Sequence, residues 1–302
     1  MKTSLTRRDF LRGTAAAALG AAAGLPHVAS SRTQAPAPAS APAKTRVVLV
    51  RSSEAIDAES RFNAKVIQEM LDQAVTALLD ASDPVSAFRQ LVKPEDVVGV
   101  KSNVWSYLPT PPELEQAIVR RLRDAGVKED AIAVDDHTVR TNPVFVKSTA
   151  LVNVRPLRTH YLAGMSGCIK NYIMFDVSQP DHHPDSCADL GSLFLLPQVK
   201  GKTRLNVLSV LTPQYYGRGP HNFNRRYVWN YGGLIVGRDP VAVDSIGLRL
   251  LMAKRRKELG PAQEIPPVPK HIQIADTKYG IGTSDPARIE LVKLGWTDGL
   301  LI

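Results

Sequence analysis

The sequence predicts a single α/β domain in which helices cover both faces of a largely parallel β-sheet. Three observations lead to this prediction. Runs of five to seven apolar and β-branched residues, typical of buried strands, alternate with longer segments whose apolar residues recur at helical spacing. Alternation of this kind favours a parallel sheet. The residues after position 44 are also numerous enough to bury one sizeable core, and they contain no internal repeat.

The predicted strands and helices follow one another along the chain. Apolar runs place strands at residues 45–51, 97–101, 131–135, 151–157 and 205–211. The first helix carries apolar residues at helical spacing between Val66 and Leu79. The second begins near Pro112 and stops at Gly126, since Pro suits a first helical position and Gly the position after the last. The third runs from 240 to 259 with Asp239 as its N-cap.

The first 44 residues are predicted to direct export instead of joining the fold. Residues 1–30 match a twin-arginine signal peptide, in which Arg7 and Arg8 precede a small, weakly apolar run. Residues 31–44 form a Pro/Ala-rich spacer that cannot bury enough surface to fold. We therefore expect the twin-arginine translocase as a partner and a periplasmic or extracellular location. No later stretch approaches eighteen uninterrupted apolar residues, so stable membrane insertion of the mature chain is not expected.

Much of the positive charge belongs to this leader. The formal net charge of the whole chain is +9. Residues 1–44 hold six of the 38 Lys and Arg residues and one of the 29 Asp and Glu residues, which leaves 32 basic and 28 acidic residues, a net charge of +4. Since no basic stripe interleaved with aromatic residues occurs, nucleic acid is not a predicted partner.

Residues 158–171 concentrate polar side chains around a turn that contains glycine. His160 follows a predicted strand, and the carboxyl end of a strand is where open α/β sheets bind ligands. The turn could present backbone N–H groups to an anion, and Lys170 would add positive charge. The residues predicted to bind a ligand or cofactor here are Gly164, Ser166, Gly167 and Asn171. The alternative is an ordinary strand-to-helix connection with a solvated lysine.

Polar residues also follow two other predicted strands. Lys101 and Asn103 follow the second strand, and Asp135, Asp136 and His137 follow the third. Because the carboxyl ends of parallel strands share one edge, we expect these residues to meet those of the glycine turn in one cleft. Each also has a plain alternative: a solvated lysine, an asparagine that holds a loop, or aspartates that cap the next turn.

Together these motifs resemble those of DUF362, a bacterial and archaeal family named as a domain of unknown function. The matching segments are Lys-x-Asn at 101–103, the helix at 111–126, the glycine turn with its Lys-Asn pair at 158–171, Gly-Pro at 219–220, and 237–244. The resemblance covers roughly residues 45–295 and implies one DUF362-like domain over 45–302. It implies no particular reaction. Some relatives carry Cys-x-x-Cys-x-x-Cys iron–sulfur segments, and because this chain has none, no such cluster is expected.

The stretch from His160 to Lys170 is also similar to one in lactate racemase-type enzymes. In those enzymes a lysine tethers a nickel-carrying pyridinium cofactor and a histidine moves protons. In this chain Cys168 replaces a glycine of that stretch, and the rest of the pattern is not found. The similarity implies a covalent role for the lysine and a proton-transfer role for the histidine.

A histidine-rich segment follows the glycine turn. Imidazole and thiolate groups are ligands for divalent transition metals, and the candidate metal ligands are His182, His183, Cys187 and His221. Their spacing matches no closed zinc motif, and a solvated polar loop is the alternative. The two cysteines, Cys168 and Cys187, would either form a disulfide in an exported protein or provide a ligand or reactive thiol.

Two classes of function follow from these observations. In the first, the protein is an exported enzyme, with or without a divalent transition metal or another cofactor, that uses His160 as acid or base and Lys101 and Lys170 to hold a small anionic substrate. In the second, it is a non-catalytic periplasmic protein that binds a carboxylate or phosphate.

Replacing both Arg7 and Arg8 with lysine is expected to hold the precursor in the cytoplasm, because the translocase reads the paired arginines. Cell fractionation followed by immunoblotting measures the location. Undiminished periplasmic protein in the double variant would contradict the export assignment.

Overall fold

The structure, a computed structural model, describes residues 44–217, 219 and 223–302. The predicted signal peptide at 1–30 and nearly all of the predicted spacer at 31–44 lie outside the described residues, and both stay predictions.

Eight strands form one sheet. They are β1 (Thr45–Arg51), β2 (Val98–Lys101), β3 (Ile132–Asp135), β4 (Ala150–His160), β5 (Gly164–Ser166), β6 (Thr203–Gln214), β7 (Gly233–Gly237) and β8 (Ile289–Gly295). Their order across the sheet is β3-β2-β4-β6-β7-β1-β8, with β5 paired to β4. All strands except β5 and β7 run in the same direction. The predicted α/β class with a largely parallel sheet is therefore confirmed.

Helices cover both faces of the sheet. They are α1 (Ala64–Leu79), α2 (Pro84–Leu91), α3 (Pro112–Asp124), α4 (Pro143–Val146), α5 (Cys168–Asn171), α6 (Pro240–Leu259) and α7 (Lys270–Thr277), and the short segment Pro184–Cys187 forms a further helical turn. One hydrophobic core lies between the sheet and α1, α2 and α3. A second core lies between the opposite face and α5, α6 and α7.

Local sequence explains where these helices begin. Side-chain oxygens of Asn63, Asp83 and Asp239 accept hydrogen bonds from the first backbone N–H groups of α1, α2 and α6. Pro240 occupies the first position of α6, as predicted. The predicted bounds of α6 agree with the structure, and those of α1 and α3 agree to within a few residues.

Several elements were not predicted. β7 (GLIVG) is only five residues long and is enclosed by glycines, so that its sequence offers no periodicity. β8 alternates buried and exposed residues too imperfectly to stand out. The short helices α2 and α7 were missed because eight residues cover about two turns. β4 and β6 extend past their predicted ends because polar residues continue the strands beyond the apolar runs.

A ladder of three buried asparagines joins the strands that carry polar residues. Asn206 Nδ2 donates to the carbonyl oxygen of Arg238 at 3.0 Å, and Asn153 Nδ2 donates to Asn206 Oδ1 at 3.0 Å. Asn171 Nδ2 donates to Asn153 Oδ1 at 2.8 Å and to the carbonyl oxygen of Lys101 at 3.0 Å. The ladder therefore fixes the end of β2 and the helix α5 relative to the centre of the sheet.

None of the described helices is both long and apolar enough to cross a membrane.

His271 on α7 generates a prediction about stability in acid. It is fully buried, and neither ring nitrogen has a hydrogen-bond partner among the described residues. Burial, with the positive charges of Lys170 and Arg155, lowers the pKa of His271 to about 3. Below pH 6.5 the unfolded chain binds a proton here that the folded chain rejects, so the free energy of unfolding falls as the pH falls toward 3.

Between pH 7 and pH 5 this histidine should remove about 2 kcal/mol from the free energy of unfolding. The His271→Leu variant should lack that component, as measured by urea denaturation at both pH values. The variant Gln273→Ala, which changes an exposed, non-ionisable side chain on the same helix, should keep the wild-type pH dependence. Equal pH dependence in His271→Leu and wild type would show that His271 takes up a proton in the folded state.

Candidate functional site

A cavity of about 480 Å³ lies at the edge of the sheet where β2, β3 and β4 end. It has the volume of a small-molecule site. Its lining consists of Asn103, Val104, Trp105, Ser106, Asp136, His137, Arg155, Arg158, His160, Ser166, Lys170, Asn171, Ile173 and Met174. The cleft predicted from the strand ends is therefore present, and it brings together His160, Lys170, Asn103, Ser166 and Asn171.

An irregularity in β4 brings two arginines to this cavity. In a regular strand, residues 155 and 158 point to opposite faces. The pairing of β4 with β6 shifts register between Pro156 and Arg158, where the partner residue changes from Ser209 to Gln214. Arg155 and Arg158 consequently both line the cavity.

The two guanidinium groups are buried and incompletely paired. Arg155 and Arg158 are 2% and 5% exposed. Arg158 Nη1 donates to Asn103 Oδ1 at 3.0 Å, and its guanidinium carbon lies 4.3 Å from the centre of the Trp105 ring. Arg155 Nη2 and Arg158 Nε have no hydrogen-bond partner in the described part of the chain. Burial lowers the pKa of both groups, which shows that the positive charges lie in an unfavourable environment.

Lys101 stands behind the cavity and does not line it, and its predicted contact with a ligand stays a prediction. Its side chain is fully buried, Nζ is ion-paired with Asp136 Oδ1, and Nζ also donates to the carbonyl oxygen of Ser102 at 2.6 Å. Burial lowers the pKa of Lys101 to about 8 even beside this carboxylate. Asp136 lines the cavity, and Lys101 thus acts on the site through it.

Lys170 lines the cavity and has no carboxylate partner among the described residues. Its Nζ lies 3.3 Å from His183 Nε2 and 4.0 Å from Cys187 Sγ. Burial lowers the pKa of Lys170 to about 8, and the nearby positive charges of Arg155 and Arg158 act in the same direction.

His160 is held as one neutral tautomer. The backbone N–H groups of Leu162 and Ala163 both donate to its Nδ1, each at 3.2 Å. Because Nδ1 accepts these bonds, the proton of the neutral ring must be on Nε2. Burial and the positive charges of Lys170 and Arg158 lower the pKa of His160 to about 2. The imidazole is consequently a hydrogen-bond donor through Nε2 at neutral pH.

The backbone N–H groups after the glycine turn already hold an anion that belongs to the chain itself. The N–H groups of Cys168 and Ile169 donate to the carboxylate of Asp244, at 2.6 Å and 2.9 Å. Asp244 is fully buried, and burial raises its pKa to about 7. A side chain at Gly167 would overlap this carboxylate. These two N–H groups, predicted to bind a ligand, instead attach the turn to α6.

Gly164 has a structural role as well. It has a φ of +70°, and a Cβ there would overlap the carbonyl oxygen of Pro267. Neither Gly164 nor Gly167 lines the cavity, and their assignment to ligand binding stays a prediction. Asp135 accepts a hydrogen bond from the backbone N–H of Thr138 at 3.0 Å. It therefore caps the following turn, which was the structural alternative given for it from the sequence.

The candidate metal ligands do not gather in one place. His182 Nε2 lies 2.9 Å from Asp176 Oδ2, whereas His183 and Cys187 both contact Lys170. His221 lies outside the described residues. Among those described, no group of three or more His, Cys, Asp or Glu side chains could hold a metal ion, so the metal site stays a prediction.

The thiols of Cys168 and Cys187 are both buried and free. The disulfide alternative is therefore not what the structure shows. Burial raises the pKa of both thiols, and each is accordingly protonated at neutral pH.

Arg155 and Arg158 were not predicted as site residues. Arg155 lay in the segment predicted as a strand, and Arg158 began the segment predicted to contain the glycine turn. A signal was nevertheless present, since charged residues are almost never fully buried without a partner and Arg155 interrupts a strand predicted to be buried.

Asp244→Ala should lower the free energy of unfolding by at least about 2 kcal/mol, because it leaves two buried N–H groups unpaired. Urea denaturation at pH 7 measures the change. Asp285→Ala removes an exposed carboxylate that accepts from the N–H of Ala287, and it should cost about 1 kcal/mol or less. Similar losses in the two variants would show that Asp244 is not what holds the turn.

No curated protein and no solved structure matches the chain. The region from the start of β3 to the middle of α6, which contains β4, the glycine turn and Asp244, does match a known family. Residues 132–249 match the model of the family described as Domain of unknown function (DUF362), and the resemblance of this chain to that family, predicted from its motifs, is confirmed.

Proposed function

We propose that the protein binds a small anion, carrying a carboxylate or phosphate group, in the cavity at the carboxyl ends of β2, β3 and β4. One observation carries the proposal. Arg155 and Arg158 are buried beside this cavity, and each has a guanidinium N–H without a partner among the described residues.

Charge balance supports an anionic ligand. The cavity is lined by Arg155, Arg158 and Lys170, whereas Asp136 is its only acidic lining residue within the described part of the chain, and Asp136 is paired with Lys101. An unpaired buried charge costs several kcal/mol, and a buried donor without an acceptor costs about 1–3 kcal/mol more. A bound carboxylate or phosphate would offset both costs, because it pairs with guanidinium groups through two parallel hydrogen bonds.

Neutral donors complete the proposed binding site. Nε2 of His160 carries a proton at neutral pH, and a donor of this kind suits an anion without adding another buried charge. The indole ring of Trp105 packs against the Arg158 guanidinium and orients it.

The state of His160 favours a binding role over acid–base catalysis. A general base needs a free ring nitrogen, but Nδ1 of His160 accepts two backbone hydrogen bonds and Nε2 is protonated. A proton on Nδ1 would point at the backbone N–H groups of Leu162 and Ala163, so that three donors would face one another without an acceptor. We therefore place His160 among the donors to the ligand, and the exported enzyme that uses it as acid or base becomes the less supported alternative.

The proposed setting is the periplasm or the extracellular space. It rests on Arg7 and Arg8 and on the Pro/Ala-rich spacer that follows them. The protein would bind its anion there after export by the twin-arginine route.

Arg158→Gln and Arg155→Met should each weaken anion binding about tenfold or more, the loss expected for one charged hydrogen-bonded pair. Isothermal titration calorimetry with phosphate, succinate and citrate measures the affinity. The same variants should keep or increase the free energy of unfolding of the ligand-free protein, because each removes an incompletely paired buried charge.

This opposite effect on binding and on stability separates a ligand-binding role from a structural one. Arg89→Gln changes an exposed arginine on α2, away from the cavity, and should alter neither quantity. If the cavity variants are destabilised and no anion binds the wild type, the two arginines are structural and the proposal is wrong.

A further inference from the structure

The two lysines near the cavity differ in their partners. Lys101 is ion-paired with Asp136, donates to the carbonyl oxygen of Ser102 and does not line the cavity. Lys170 lines the cavity, is 5% exposed, and has no ion pair with any carboxylate over residues 44–217, 219 and 223–302. Only Lys170 therefore combines a buried amine with access to a molecule in the cavity.

Lys170 shares the cavity with the two buried guanidinium groups of Arg155 and Arg158. A lysine that is desolvated next to other cations is a recognised nucleophile toward carbonyl groups. The imidazole of His183 lies with Nε2 3.3 Å from Nζ and is partly exposed to solvent.

We propose that Lys170 forms an imine with the ketone carbon of a 2-oxo acid whose carboxylate is held by Arg155 and Arg158. The proposal rests on the anion-binding function and names its ligand class. A planar carboxylate suits the guanidinium groups. In a 2-oxo acid the ketone carbon is bonded directly to that carboxylate, so that anchoring one group positions the other within the same cavity of about 480 Å³.

The atoms of this step balance without an oxidant or a reductant. The lone pair of Nζ forms a bond to the ketone carbon, and the ketone oxygen takes up a proton to give a carbinolamine. Nζ gives up one proton in this step, so that one proton has moved from nitrogen to oxygen. In the second step the remaining Nζ proton moves to the hydroxyl oxygen, the C–O bond breaks, and water leaves as the C=N bond forms. One amine and one ketone are consumed, and one imine and one water molecule are formed.

The test traps the imine on the mature chain. The protein is incubated at pH 8 with pyruvate or 2-oxoglutarate and cyanoborohydride, which reduces an imine to a stable secondary amine. Mass spectrometry of peptides then locates the modified lysine. We expect modification of Lys170 at least about tenfold above that of the exposed Lys200, since anchoring raises the local concentration of the ketone, and no modification of Lys101.

Matched anions and variants complete the design. Lactate and 2-hydroxyglutarate keep the carboxylates but lack the ketone, and they should protect Lys170 without modifying it. Lys170→Arg should abolish the adduct at this position while lactate or 2-hydroxyglutarate still binds in calorimetry. Arg158→Gln keeps the amine but weakens the anchor, and should lower the adduct yield about tenfold.

Two failures are distinguishable. If pyruvate or 2-oxoglutarate binds in calorimetry but Lys170 is modified no more than Lys200, imine formation is overturned and anion binding stands. If none of the four organic anions binds and no adduct forms, the imine proposal is overturned, and absence of binding to phosphate, succinate and citrate as well overturns the anion-binding function with it.

Discussion

The carboxylate of Asp244 is the contact on which the arrangement of the site depends. It joins the second turn of α6 to the backbone N–H groups of Cys168 and Ile169, 76 and 75 residues away in sequence. Asp244 thereby fixes the start of α5, and α5 carries Lys170 and Asn171. Because the carboxylate is fully buried, its two N–H partners are what make its burial tolerable. The glycine at 167 is required for the same reason, since any side chain there would occupy the space of the carboxylate.

Around this contact the chain buries more positive than negative charge. Lys101 is neutralised by Asp136, and Asp244 is surrounded by donors, but Arg155, Arg158 and Lys170 have no carboxylate of their own among the described residues. Positive charges that are buried without a carboxylate raise the electrostatic free energy of the folded chain. The neutral state of His160 follows first from its burial and then from the same excess, because a further proton would add another positive charge to the group.

The fold was more predictable from sequence than the site. The predicted strands and the long helix α6 have strong apolar runs or caps, and these signals are local. The role of Asp244 was invisible because it depends on a contact between distant segments, although its place in the motif at 237–244 was noted. The arginines were missed for a different reason. The register shift in β4 that turns Arg155 toward the cavity arises from pairing with β6, and no local pattern encodes that pairing.

Lys101 illustrates the limit of reasoning from strand ends. Its position at the carboxyl end of β2 was predicted correctly, but sequence cannot show whether a lysine faces a ligand or a neighbouring aspartate. The residues of the glycine turn that were predicted to bind a ligand fall into two groups in the same way. Ser166 and Asn171 reach the cavity, whereas Gly164 and Gly167 serve the packing of the turn against Pro267 and Asp244.

The asparagine ladder has a consequence for how the protein opens. Each amide group of Asn153, Asn171 and Asn206 is buried, and its partners are carbonyl oxygens or the next amide of the ladder. Separating any two of these segments exposes donors and acceptors in both, so that α5, β2, β4 and β6 are coupled into one cooperative unit. Backbone amides in this unit should exchange with solvent only in the global unfolding event, and the cavity walls that they support would then persist through local fluctuations elsewhere in the chain.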